Sequence, residues 1–121
     1  MKPMFICYSK CGTCRKAKKW LLDNDFEVDY REISIDKPSF QELSEWIKLS
    51  GKPINKFFNT SGLLYRELGV KDLIKTQTER VLLELLSSNG MLVKRPLLIS
   101  NNKVLVGFNE EEYKSFFDRI I

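Results

Sequence analysis

The sequence contains no histidine. That removes the cysteine–histidine pair of many nucleophilic enzymes and the commonest nitrogen ligand for metals. Any activated thiol must therefore draw on backbone dipoles, lysine or arginine. Long apolar runs are missing too: Val81 to Leu83 and Pro96 to Ile99 fall far short of the ~20 residues that span a bilayer. The basic start is followed by no apolar segment of the secretory-leader kind. A cytoplasmic chain without membrane contact is expected. Cysteine is scarce, at three residues, and an odd number in an unexported chain points to redox or metal chemistry rather than a disulfide framework. Nor does one sign of charge dominate. Twenty basic and sixteen acidic residues are well mixed, net +4, which suits an anionic substrate but lacks the basic stripe of direct nucleic-acid binding.

What is present is a cysteine pair, Cys11-Gly12-Thr13-Cys14, followed by Arg15 and Lys16. It stands where a short apolar strand gives way to an amphipathic helix. A sulfur there faces the unpaired N–H groups of the first helical turn and the positive end of the helix dipole. Such settings lower a cysteine pKa from ~8.5 to about 3.5–7.5, and the thiolate is the nucleophile. Cys11 is thus expected to attack, with Arg15 adding charge. Cys14, one turn on, is placed to resolve a mixed disulfide formed at Cys11. Lys16, Lys18 and Lys19 read as a solvated helix face.

Metal readings fail on ligand count and placement. A structural zinc site wants four cysteine or histidine ligands and the chain has three. Cys7, Cys11 and Cys14 have the C-x-x-x-C-x-x-C spacing of radical S-adenosylmethionine clusters, but that chemistry needs all three thiolates in one loop. Cys7 falls inside the first strand, on the same face as Phe5, where it packs as a small hydrophobe. No metal and no bound cofactor are expected.

The periodicity runs in order along one domain, 1–121. Lys2 to Tyr8 reads as a strand. Cys14 to Asn24 reads as a helix, with Ala17, Trp20, Leu21 and Asn24 on one face. Phe26, Val28 and Tyr30 alternate as a second strand, which Ile33 and Ile35 extend with the faces exchanged. Together these form a strand–helix–strand unit, expected to be parallel. Between about 38 and 90 lies a helical insert. It comprises a capping box at Ser39 to Glu42 ahead of Leu43, Trp46 and Ile47, and short pieces at Ile54 to Phe58, Leu63 to Leu68 and Asp72 to Lys75. A last helix of the insert, opened by Thr76-Gln77-Thr78-Glu79, carries Val81, Leu82, Leu85 and Leu86. Leu97 to Ser100 and Val104 to Val106 flank the hairpin signal Asn101-Asn102-Lys103. Asn109 caps a final helix bearing Tyr113, Phe116, Phe117 and Ile120. The order strand, helix, strand, insert, strand, strand, helix predicts an α/β thioredoxin-like fold with a four-stranded mixed sheet.

Two further stretches bear on the cysteine loop. Pro96 suits the first position of a strand because it has no N–H to give a ladder. Lys94-Arg95-Pro96 is either a plain surface turn or a strand entrance that sets Arg95's planar fork and the backbone at Pro96 beside the cysteines. Asn59-Thr60-Ser61-Gly62 is either a helix cap or part of the same cleft.

Cys11-Gly12-Thr13-Cys14-Arg15-Lys16-Ala17, Asn59-Thr60-Ser61-Gly62, Tyr65-Arg66-Glu67-Leu68, Lys94-Arg95-Pro96-Leu97 and Val106-Gly107-Phe108-Asn109 together resemble the arsenate reductase (ArsC)-like family. That family includes the Spx-type regulators that bind RNA polymerase. The resemblance covers essentially the whole chain. It implies Cys11 as nucleophile and Arg95 as oxyanion-binding arginine beside a cis proline; Gly12, Thr13, Arg15, Asn59, Thr60 and Pro96 are expected as substrate contacts. Glutathione, glutaredoxin or thioredoxin is implied as reductant or partner. Of the three family arginines only Arg95 matches; Asn59 and Gly107 stand at the other two positions. Each lost charge-assisted bond forfeits ~1.5–3 kcal/mol, so poor arsenate reduction and a more general thiol–disulfide oxidoreductase are expected. The Spx-type alternative implies a redox-sensing regulator gripping the polymerase alpha subunit.

Overall fold

A computed structural model describes residues 2–120, with side chains to Asp118. Its elements are β1 (Met4–Cys7), α1 (Gly12–Asp23), β2 (Asp29–Glu32), α2 (Phe40–Ser50), α3 (Leu63–Glu67), α4 (Val70–Thr76), α5 (Glu79–Ser88), β3 (Leu97–Ile99), β4 (Val104–Val106) and α6 (Glu110–Ile120). Single 3-10 turns lie at Ile54–Phe57 and Gly90–Leu92. The sheet order is β2-β1-β3-β4. β1 and β2 run parallel, joined through α1, while β1/β3 and β3/β4 are antiparallel. Among the described residues, no helix is long and apolar enough to cross a membrane.

Alternation in the strands gives each sheet face its own core. Phe5, Leu98 and Leu105 face α1 and α6, packing with Ala17, Leu21, Tyr113, Phe116 and Phe117. Cys7 lies on this face, as expected, partly buried. Trp20 and Phe26 complete it, Phe26 stacking on Phe117 at 4.2 Å between ring centroids. Ile6, Leu97, Ile99 and Val104 face the opposite way, onto Leu43, Trp46 and Ile47 of α2 and Leu82, Leu83 and Leu86 of α5. The insert therefore supplies the second layer of helices.

Several boundaries differ from the sequence reading. α1 starts at Gly12 with Cys11 as its N-cap, not at Cys14. Asn24, expected on the apolar face, is exposed and donates Nδ2 to the Trp20 carbonyl at 2.8 Å. β2 begins at Asp29 because Asp25 turns the chain with φ 58° and Phe26 stays with the aromatic cluster. Nor do Ile33 and Ile35 extend it: Ile33 is buried under Gly90, and Ile35 is 85% exposed in the turn that follows. In α5 the cap is Thr78, which accepts from the Val81 N–H at 3.3 Å, while Thr76 ends α4. That phase buries Leu83 and leaves Val81 exposed. Ser39 forms the anticipated capping box with Glu42. Asn109 accepts from the Glu112 N–H at 3.0 Å at the start of α6; the expected placing of Ile120 lies outside the described side chains.

One ion-pair hub ties β2 to the insert. Arg31 makes two bonds to the Glu42 carboxylate at 2.8 and 2.9 Å, reaches Asp36 at 3.3 Å, and lies over the Trp46 ring. It holds the return from the sheet to α2 in place.

Candidate active site

The cysteine loop is built by β1 delivering the chain to the mouth of α1. The Cys11 N–H donates to the Tyr8 carbonyl at 2.9 Å, and the Cys11 carbonyl accepts from the Arg15 N–H at 3.1 Å, opening the helix. Cys11 has extended backbone angles, φ −94° and ψ 125°, so its own side chain stands at the cap. Its thiol is partly exposed, whereas Cys14 is only 3% exposed. Gly12 and Thr13 are exposed between them, and a side-chain carbon placed on Gly12 would meet nothing within 4 Å. A reaction partner can approach from that side.

The electrostatics of the two sulfurs diverge. Burial works against ionising Cys11, but the Cys14 N–H, the Cys14 thiol, the Arg95 guanidinium and the Thr13 N–H outweigh it and bring its pKa below the ordinary thiol value. Cys14 goes the other way, to about 12: burial dominates, the nearby Cys11 charge adds to it, and the 3.3 Å bond from the Tyr8 N–H only partly compensates. The exposed sulfur of the pair is thus the one that ionises more readily. Cys7 is also raised, by burial and then by the Glu32 carboxylate. Among the described residues no group of acidic, cysteine or histidine side chains is arranged to hold a metal ion.

Arg95 reaches the loop from the entrance to β3 and is joined to Pro96 by a cis peptide bond. Pro96 is buried, and its carbonyl accepts from the Gly107 N–H at 2.8 Å. The Arg95 guanidinium lies over the Tyr8 ring, 4.8 Å from its centroid, and its Nη1 points to the Met91 Sδ at 3.7 Å. Arg15, expected to charge the nucleophile, is instead tied by its Nε to the Ser9 carbonyl at 3.2 Å. It lines a cavity of about 330 Å³ with Cys7, Cys14, Lys18, Tyr30 and Glu32.

Asn59 joins Arg95 around a neighbouring cavity of about 310 Å³ that includes Gly62, Leu63, Leu64, Glu67 and Met91. Its amide is directed at the Met91 carbonyl, 3.5 Å away, and its backbone N–H donates to Leu92. Thr60 is exposed in the same turn, outside that lining. Gly107 has φ +79°, a backbone that an arginine rarely adopts.

Two residues to which the sequence reading gave no role at the site support the loop. Glu32 accepts from the Ser9 N–H at 2.9 Å and from the Ser34 N–H and hydroxyl. Those bonds, led by the Ser34 hydroxyl, hold its carboxyl near 2. Tyr8 carries Arg95 on its ring. Neither has a local sequence signal, since Glu32 arrives through the parallel pairing of β1 with β2 and Arg95 from far along the chain.

Comparison with known proteins converges on one family. Residues 7–116 match the ArsC family model. The chain is 47% identical over 114 residues to the YusI protein of Bacillus subtilis (strain 168), covering 94% of this chain and 97% of that one. It is 31% identical over 108 residues to the regulatory protein MgsR of the same organism, covering 89% and 84%. The crystal structure of an ArsC family related protein from Bacteroides fragilis superposes with a TM-score of 0.92 at 50% identity, over 95% of this chain and 97% of that one. With a thioredoxin-like fold, a cysteine pair opening the first helix and a family match along nearly its whole length, this chain belongs to the ArsC family.

Proposed function

We propose that this protein is a thiol–disulfide oxidoreductase of the cytoplasm that uses Cys11 as nucleophile and Cys14 as resolving thiol. The observation that carries the reading is the opposed bias of the two sulfurs: the accessible one favours the anion and the buried one keeps its proton. The Cys11 thiolate attacks one sulfur of a substrate disulfide, forming a mixed disulfide and releasing the other sulfur as a thiolate. Cys14 then loses its proton and attacks the Cys11 sulfur, closing the Cys11–Cys14 bond and releasing the second substrate thiolate. Forming the mixed disulfide removes the Cys11 charge, and with it one of the contributions that keep Cys14 protonated. Glutathione, glutaredoxin or thioredoxin supplies the two electrons that restore the dithiol. Arg95 and the backbone at Pro96 orient the substrate, with Gly12 and Thr13 lining its approach.

Arsenate is a poor substrate on this reading. Arg95 stands without the other two family arginines: Asn59 is turned to a backbone carbonyl, and Gly107 offers no side chain. The decisive experiment is mild oxidation followed by alkylation mapping. Cys11 is expected to bond to Cys14 with Cys7 left free, Cys11→Ser to abolish disulfide turnover, and Cys14→Ser to accumulate the mixed disulfide. A bridge containing Cys7, or none, overturns the reading. The similarity to MgsR, named a regulatory protein, favours a second one: a redox-sensing regulator whose Cys11–Cys14 state alters binding to the RNA polymerase alpha subunit. Pull-down with that subunit in reducing and oxidising buffer separates the two.

A further inference from the structure

Arg95 favours the Cys11 thiolate as a hydrogen-bond donor, yet among the described ion pairs none involves Arg95. The two groups it touches are uncharged, the Tyr8 ring at 4.8 Å and the Met91 sulfur at 3.7 Å, and Glu67, which lines the same cavity, makes no ion pair with it among the described residues. The contrast with Arg31 is instructive. There Glu42 and Asp36 surround the guanidinium, which fixes it and cancels its field. A carboxylate bonded to Arg95 would likewise take up its donors and neutralise the group that Cys11 draws on. An aromatic face holds a guanidinium through its quadrupole and leaves the net charge intact, along with the N–H donors not already used.

Tyr8 is also fixed relative to both sulfurs through its backbone. Its carbonyl accepts from the Cys11 N–H at 2.9 Å, and its N–H donates to the Cys14 sulfur at 3.3 Å. One residue just past β1 therefore touches the nucleophile's backbone and the resolving thiol through its main chain, and the arginine through its ring.

We propose that Tyr8 is the positioning residue of this site, its ring seating the Arg95 guanidinium beside the Cys11 sulfur while leaving its charge unneutralised. This rests on the oxidoreductase reading and adds to it the part that places Arg95. The required property is the ring, not the hydroxyl, so Tyr8→Phe retains the function and Tyr8→Leu loses it.

The test is the pH dependence of Cys11 alkylation by iodoacetamide in the reduced full chain, with Cys7 and Cys14 followed by mass spectrometry. At pH 6.5, Tyr8→Leu is expected to slow Cys11 alkylation by about 3- to 10-fold and move its midpoint upward, while Tyr8→Phe matches the parent. Because Tyr8 acts through Arg95, Tyr8→Leu in an Arg95→Gln background is expected to change the rate no further. Tyr8→Met serves as a second ringless variant should Tyr8→Leu fail to fold, folding being checked by circular dichroism and a cooperative melt. A ringless variant that keeps the parental profile overturns the proposal. So does a Phe variant as slow as the Leu variant, or a Tyr8→Leu effect of undiminished size without Arg95. A parent Cys11 that titrates as an ordinary thiol is a separate outcome. It rejects the oxidoreductase reading and leaves Tyr8 nothing to position.

Discussion

At the scale of single residues, two chemically identical thiols are made different by where the helix begins. Cys11 caps α1 and sees N–H groups; Cys14, inside the first turn, is sealed between α1 and the end of β1. The consequences for stability have opposite signs. Cys14 keeps its proton to about 12 in the folded protein, whereas an unfolded cysteine loses it near ~8.5. Between those values the unfolded chain binds fewer protons, so the Cys14 contribution to stability falls as pH rises, by up to about 1.4 kcal/mol per pH unit. Tyr113, raised chiefly by burial, works in the same direction at the alkaline end. Cys11, being lowered, contributes stability above the ordinary thiol pKa and loses it as pH falls. Urea unfolding of the reduced protein at pH 7 and pH 10 is expected to show the alkaline loss, and Cys14→Ala to make it shallower. The C-x-x-C spacing at a strand-to-helix junction revealed the pair and pointed to Cys11 as the sulfur that ionises; the burial that opposes ionisation of Cys14 is set by packing.

At the scale of elements, the caps at Ser39 and Asn109 were legible and the strand ends were not. Ser39 and Glu42 read as a capping box because both partners lie within four residues, and the box forms. The alternation of Phe26, Val28 and Tyr30 looked like a strand for an equally local reason. Yet Phe26 stacks on Phe117 of α6 where Asp25 turns the chain, and β2 begins three residues later. The Arg31–Glu42 pair joins β2 to α2 across that ambiguity. Arg31 is 12% exposed and Glu42 36%, so solvent discounts the pair only in part. Glu42→Gln is expected to cost about 1–2 kcal/mol at pH 7, read from the urea midpoint. Glu42 is held below the usual carboxylate range, first by Arg31. Its contribution is therefore present above ~4.3 and disappears as pH falls through the lower folded value, and the variant is expected to lose that acid dependence.

At the scale of the whole molecule, the sheet divides labour between its faces. α1 and α6 back the side that carries the cysteine helix; the insert covers the other and returns the chain to Arg95 through the turn at Gly90–Leu92. A cavity made in the insert should therefore weaken the fold without retuning the thiols. Leu86→Ala, fully buried in α5, is expected to lower stability by about 2–5 kcal/mol while the Cys11 alkylation midpoint stays fixed. A shifted midpoint would show that the two faces are coupled through Met91 and Arg95.

Composition and pattern by themselves determined that this chain forms an α/β fold around a cysteine pair at a strand-to-helix junction. Apolar periodicity, helix caps and a two-residue spacing are all local properties, written within one or two turns of chain. Tertiary structure decided which charge reaches the nucleophile. Arg15 is adjacent in sequence but bonded to the Ser9 carbonyl, whereas Arg95 comes from the far side of the insert and settles on Tyr8. An electrostatic field depends on distance through space, and the pairing of β1 with β3 sets that distance, which no run of neighbouring residues encodes.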